Sequence, residues 1–123
     1  MSSKTYDLEE RTAKFGESVI DFCKNKVDFN PLTGPLVNQL IRSSTSVGAN
    51  YMEANAASSR KDFKNKIHIC KKEVQETKHW LRMLARALPE KKIELQTIWK
   101  EAQELTLIFG KIISSLRENK VEV

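Results

Sequence analysis

The stretch FKNKIHICKKEVQETKHWLRMLARAL, Phe63 to Leu88, decides the fold. Phe63, Ile67, Cys70, Val74, Thr77, Leu81, Leu84 and Leu88 return at every third or fourth position. A helix of 3.6 residues per turn gathers such positions on one face, whereas a strand would need alternation by two. Pro89 follows at once, and proline cannot continue a helix. On the other side Ser59 stands three residues before Asp62, a short version of the capping box. The spacing predicts a helix over 60–87, roughly 40 Å long at ~1.5 Å per residue.

Working outward, the same period recurs three more times. Leu8, Thr12, Phe15, Val19 and Phe22 share a face ahead of the break at Asp28-Phe29-Asn30-Pro31. Acids at Asp7, Glu9 and Glu10 suit the positive end of that helix. Gly34-Pro35 opens a second helix, with proline in the first turn where it costs no hydrogen bond. Its seam reads Leu36, Leu40, Ser44, Val47, Tyr51 and Ala54, and its middle is a run of small residues from Ser43 to Ala49. Small side chains let another backbone come close, which gives Gly48 a packing reason despite its helix penalty of about 1 kcal/mol. Beyond Pro89, Leu95, Ile98, Ala102, Leu105, Phe109, Ile112 and Leu116 line a fourth helix.

The expected elements are therefore helices at about 7–27, 35–58, 60–87 and 91–118 of a single domain over 1–123. Each seam has near-heptad spacing, and the connections are short. Both favour an all-α, up-and-down antiparallel four-helix bundle with helices packed about 20° apart. All three prolines fall between the periodic segments, and the chain holds only four glycines. A strand-rich fold would need more turns than that.

Hydrophobic residues make up 40% and charged residues 30%, a globular mix. No run approaches the ~18 apolar residues of a membrane span. The stretch MSSKTYDLEERTAKF lacks an apolar signal core, so the expected location is the cytoplasm. Two cysteines, Cys23 and Cys70, fall at periodic apolar positions and read as reduced core residues.

The net charge of +5 is concentrated in the third helix, where nine basic residues face three acids. On a helical wheel Arg60, Lys64, His68, Lys71, Gln75, Lys78, Arg82 and Arg86 fall in one arc beside the core face, with no acid among them. Asp62, Glu73 and Glu76 cluster on the opposite flank. Solvated faces usually mix signs, and this one separates them. The arc reads as a strip for the phosphates of RNA or DNA, with Arg60, Lys64, Lys71, Lys78, Arg82 and Arg86 as its cations. A merely solubilising face is the plain alternative. No aromatic interleaves with this row, which argues against base stacking on it. Contacts should then be led by phosphate and weakly specific for sequence.

Ile69, Trp80 and Met83 form a second apolar stripe off the core seam. It reads as a homo-oligomer contact, or else as a wide core within one chain. On the second helix Arg42, Ser46, Asn50 and Glu53 follow spacings of four, four and three. They read as a polar network within the bundle or across a subunit interface, of the kind that fixes register.

Chemistry that would make an enzyme is missing from the pattern. Glu76 and His79 give one Glu-x-x-His, but a dimetal bundle site needs a second copy and two more inward carboxylates. Asn65, not an acid, precedes His68 at that spacing. No phosphate-binding glycine loop or His-Glu-x-x-His occurs, and the serines at Ser43–Ser46 have no nearby base. The expectation is a non-enzyme without metal or cofactor.

Gln39-Leu-Ile-Arg42-Ser-Ser-Thr-Ser46-Val-Gly-Ala-Asn50-Tyr-Met-Glu53-Ala resembles the signature of the four-helix-bundle proteins associated with intervening sequences in bacterial 23S ribosomal RNA. Ser59-Arg-Lys-Asp-Phe63 and Lys72-Glu73-Val-Gln-Glu76-Thr77 match that pattern too. The likeness runs nearly the whole chain in helix order and is most specific from Gln39 to Glu76. Where the family often has a glycine soon after the Glu53 position, Ala54-Asn55 stands here. The resemblance implies a bacterial protein, a homopentamer of such bundles, and no enzyme. A related branch, the accessory variability proteins of diversity-generating retroelements, resembles pentameric barrels that bind nucleic acid and a reverse transcriptase through basic surfaces. Two functions follow as expectations: an oligomer that binds nucleic acid through the third-helix strip, or an interaction scaffold or accessory subunit, for example of a reverse transcriptase, whose basic face only solubilises.

Overall fold

The computed structural model describes residues 7–122, with side-chain environments through residue 117. Residues 1–6, part of the stretch read as lacking a signal core, lie outside it. Four helices follow one another: α1 (Leu8–Lys26), α2 (Thr33–Asn55), α3 (Arg60–Ala87) and α4 (Lys92–Glu122), with a single 3-10 turn, Pro89–Lys91, leading into the last. Each helix packs on its neighbour in sequence, and α1 meets α4 only along a narrow line that closes the ring. The four-helix bundle expected from the periodicity is what the chain forms. No described residue lies in a strand.

The helix ends have local causes. Asp7 caps α1 by accepting from the Glu10 N–H at 3.3 Å. Helix α2 starts at Thr33, two residues before the expected Pro35, because Asn30 organises the turn. Asn30 Oδ1 accepts from the N–H groups of Leu32 and Thr33 at 2.8 and 2.9 Å, and Thr33 Oγ1 donates to the Asp28 carbonyl at 2.7 Å. Pro35 still lies in the first turn, where its missing N–H is no loss. At the other end α2 stops at Asn55 rather than near Ser58, because the Ala56 and Ala57 N–H groups turn back to Glu53 and Ala54 carbonyls. Ser59 caps α3, its Oγ accepting from the Asp62 N–H at 3.0 Å. Helix α4 runs past the expected end near residue 118, since no glycine or proline follows Gly110 to stop it.

The core is filled by the expected seams with two shifts. Helix α2 buries Val37 and Ser43 beside Leu40, Ser44, Val47 and Ala54, while Leu36 and Tyr51 are only half-buried. Helix α4 buries Ile113 in place of the expected Ile112. A straight helix of 3.6 residues per turn drifts from a heptad seam, and the stripe moves by one residue over such a length. Ser43 stays satisfied by a hydrogen bond with Thr77 Oγ1 across the α2–α3 contact, at 2.9 Å. Every buried side-chain polar atom among the described residues has a partner.

The small-residue run of α2 meets α1. A Cβ on Gly48 would lie 3.4 Å from the Thr12 backbone carbonyl, and one on Gly16 would lie 3.5 Å from Thr45. On the opposite side of α1 the contact with α4 depends on charge. Arg11 donates to Glu101 through Nε at 2.8 Å and through Nη2 at 3.0 Å, and it also reaches Glu104 at 2.6 Å. These hydrogen bonds, the one to Glu101 first, raise the Arg11 pKa further above its ordinary value.

Both cysteines are free and buried. Burial pushes the Cys70 thiol up to about 12 and the Cys23 thiol up to about 11. Among the described residues no helix is long and apolar enough to cross a membrane.

Candidate nucleic-acid interface

The α3 strip comes to rest along the α3–α4 groove. Its turns alternate between exposed and half-buried positions. Arg60, Arg82 and Arg86 are exposed, while Lys64, Lys71 and Lys78 are half-buried. Arg60 donates to the Leu116 carbonyl of α4 at 2.8 Å. The Lys71 ammonium lies 3.8 Å from where a Cβ on Gly110 of α4 would stand. Lys78 donates to Gln103 Oε1 at 2.6 Å. The missing side chain at Gly110 thus leaves room for a lysine head in the groove.

None of these six cations is in an ion pair among the described residues. Five acids of the two helices are held elsewhere. On α3, Glu73 and Glu76 turn to α2, where Arg42 pairs with both. On α4, Glu101 and Glu104 turn to α1 and Arg11, and Glu94 pairs with Lys26 of α1 at 3.8 Å. These five acids are held on faces pointing away from the groove, which leaves its cations without them. Glu90 is exposed in the turn at one end of it.

The wheel of α3 alone missed what α4 adds to this groove. Lys92, Gln96, Trp99 and Gln103 follow a helical row along its α3-facing edge. Trp99 remains 38% exposed, and the Lys78 ammonium sits 5.0 Å from its ring centroid. The expectation of a strip without aromatics is thereby corrected: the aromatic comes from the neighbouring helix. The same wheel drawn on α4 separates this row from Glu94, Glu101 and Glu104 and would have found it.

The stripe of Ile69, Trp80 and Met83 is not the exposed apolar face the wheel predicts. All three are half-buried within one chain. Trp80 packs against the core cluster of Val37, Leu40, Leu81 and Leu84, and its indole N–H donates to Glu76 Oε2 at 3.0 Å. A helix facing two neighbours needs a wider apolar surface than one seam supplies, and Trp80 covers that extra width. The apolar side chains that remain exposed lie elsewhere, among them Ile20, Met52, Ile93 and Leu107.

The α2 polar row shares a face but does not join into one network. Arg42 and Glu53 reach separately across to α3, Arg42 to Glu73 and Glu76, and Glu53 to Lys66 at 2.7 Å. Ser46 and Asn50 instead bond carbonyls of their own helix, those of Arg42 and Ser46. The row therefore registers α2 against α3 at two points about three turns apart. Glu76 accepts from the Trp80 indole and from Arg42. Chiefly through the Trp80 hydrogen bond, and then through Arg42, its carboxyl is held below the ordinary carboxylate range.

Among the described residues, no group of three or more His, Cys, Asp or Glu could hold a metal ion. Ser43 and Ser44 are fully buried, and their hydroxyls lie within hydrogen-bonding distance of carbonyls of their own helix. His79 is exposed, while Glu76 is committed to Arg42 and Trp80.

The model of one protein family, described as 23S rRNA-intervening sequence protein, matches residues 5–111 of the chain. Among solved structures, a protein of unknown function from the S23 ribosomal protein family of Bacteroides thetaiotaomicron is 29% identical with a TM-score of 0.73. The alignment covers 85% of this chain and 96% of that one. No curated protein matches at a significant level.

Proposed function

The chain belongs to the 23S rRNA-intervening sequence protein family, and we propose that it is a non-enzymatic protein that binds nucleic acid through the α3–α4 groove. One observation carries the reading. Among the described residues the groove presents Lys64, Lys71, Lys78, Arg82 and Arg86 with no paired acid, and Glu73, Glu76, Glu101 and Glu104 are held on the outer flanks by Arg42 and Arg11. Such a surface neutralises phosphates and releases their counterions, giving binding that weakens steeply with salt. Self-association, a homopentamer by the resemblance of the Gln39–Glu76 segment, would repeat the groove and add avidity.

Fluorescence anisotropy with a structured RNA and a duplex DNA, titrated over salt, tests it. The log–log salt slope should indicate several phosphate contacts. Lys78→Glu with Arg82→Glu should weaken binding to every sequence alike and flatten the slope by about one for each phosphate no longer neutralised. Unchanged affinity in that double variant would remove the groove as the site. Absence of binding at low salt would favour the scaffold reading, which the exposed Ile93 and Leu107 on α4 also support. In that case a stoichiometric protein partner, recovered without RNA, is the expected finding.

A further inference from the structure

Between α3 and α4, one turn from the Lys78–Gln103 contact, lies a hollow of about 390 Å³ lined by Leu81, Ala85, Leu95, Trp99, Gln96, Arg82 and Lys92. Its floor is apolar, its wall is an indole, and its rim carries an amide and two cations. A second hollow adjoins it, sharing Arg82, Ala85 and Lys92 and adding Arg86 and Pro89. The first is large enough for one small planar ligand, at the lower end of the ~300–1,000 Å³ typical of small-molecule sites. The second is ringed by three cations, none of which is in an ion pair among the described residues.

We propose that this pair of hollows is a nucleotide subsite: the first holds one unstacked base of a single-stranded nucleic acid against Trp99, and the second holds its phosphate on Arg82, Arg86 and Lys92. This rests on the nucleic-acid reading of the groove and adds to it a second contact that only single strands can make.

The chemistry fits on both sides. Lys78, which is not among the residues lining the hollow, approaches the indole from the Gln103 side. Trp99 and Gln96 line the hollow together, so indole surface is presented there to a planar partner. Stacking on an exposed indole tolerates any base, because every base has a π-face. The Gln96 amide can both donate to and accept from a base edge, so it discriminates little between bases. A duplex keeps its bases inside the stack and cannot reach the indole, so it can use only the cations. The groove should therefore bind duplexes through phosphate alone and single strands through phosphate plus one base.

The test uses the full-length protein, a fluorescein-labelled oligo(dT) and a hairpin duplex of similar charge. Trp99→Ala should weaken oligo(dT) binding by roughly tenfold or more, within the range for losing one stacked base. Duplex affinity should stay within about twofold, and Trp99→Phe should restore part of the loss by keeping an aromatic face. A Trp80→Phe background leaves Trp99 as the sole tryptophan, and its emission should then be quenched by oligo(dT) but not by the duplex. Circular dichroism and the duplex affinity report whether each variant is folded. Equal loss for both probes, or no loss for either, with the Arg82→Glu control still weakening both, would overturn the base subsite and leave the groove standing. If the unaltered protein bound neither probe at low salt, the subsite and the groove would fall together.

Discussion

Glu76 sits where two requirements meet. It must accept from the Trp80 indole, whose ring packs against the core, and it must hold Arg42 across the α2–α3 contact. Both favour the carboxylate, and its folded pKa is lowered. The unfolded chain releases this proton near pH ~4.3. The stabilisation is therefore fully present above that value and is lost as pH falls through the lower, folded pKa. The group is about one-third exposed, so solvent screening limits the effect. Glu76→Gln should cost about 0.5–1 kcal/mol at neutral pH. The same variant should flatten the acid limb of stability below pH ~4, and urea denaturation of both proteins across pH 3–7 measures the two effects together. An unchanged acid limb would mean that other carboxylates dominate. The thiols tell a second residue-scale story. With Cys70 pushed up to about 12 and Cys23 to about 11, neither forms appreciable thiolate near pH 8, and only the thiolate is alkylated. Mass spectrometry after iodoacetamide treatment should show neither cysteine modified in the native protein and both modified in urea.

Among the elements, α2 is the one whose middle was hardest to interpret from sequence and is most telling in the structure. Its run of small residues said that a backbone comes close but not which one; the backbone is that of α1 at Thr12. An alanine Cβ at Gly48 would just touch the Thr12 carbonyl at 3.4 Å. The ~1 kcal/mol gained in helix propensity is offset by that tight contact, so Gly48→Ala should leave the melting temperature nearly unchanged. Gly48→Val adds two methyls toward the same carbonyl and should cost about 1–3 kcal/mol as overpacking. Thermal melts of the pair check this; equal effects would mean that α1 is free to move outward. The limits of reading elements one at a time show here as well. Seams and stops such as Ser59 and Pro89 are local signals, and they placed α3 at its observed bounds. The start of α2 depended on Asn30 bonding forward to Thr33, a turn outside the periodic pattern. Trp99 was invisible to the α3 wheel because its place beside Lys78 is fixed only when α4 docks. The acid-free arc of α3 was legible, but the reason it stays unpaired was not. That reason lies with Arg42 and Arg11 on two other helices.

The whole molecule segregates charge by pairing acids on its outer flanks. Arg42 of α2 draws Glu73 and Glu76 to one side, and Arg11 and Lys26 of α1 draw Glu101, Glu104 and Glu94 to the other. What remains between α3 and α4 is a row of cations that repel one another with nothing bound. Each pair a turn or more apart interacts weakly in water, by a few tenths of a kcal/mol at low salt. Over several lysines and arginines the sum becomes measurable. A binding groove built this way should cost the free protein some stability. Arg82 isolates the effect, because it is exposed, forms no ion pair among the described residues and lies on the rim of the Trp99 hollow. Glutamine has nearly the same helix propensity as arginine, so Arg82→Gln changes little except charge. At low ionic strength this variant should melt roughly 1–3 °C above the unaltered protein. Raising the salt until the Debye length is only a few Å should erase the difference. In the same preparation its affinity for nucleic acid should fall. A variant that melted lower at every salt would show that Arg82 is held by contacts that stabilise the fold. The cation row would then be a structural feature of the bundle rather than a surface held open for phosphate.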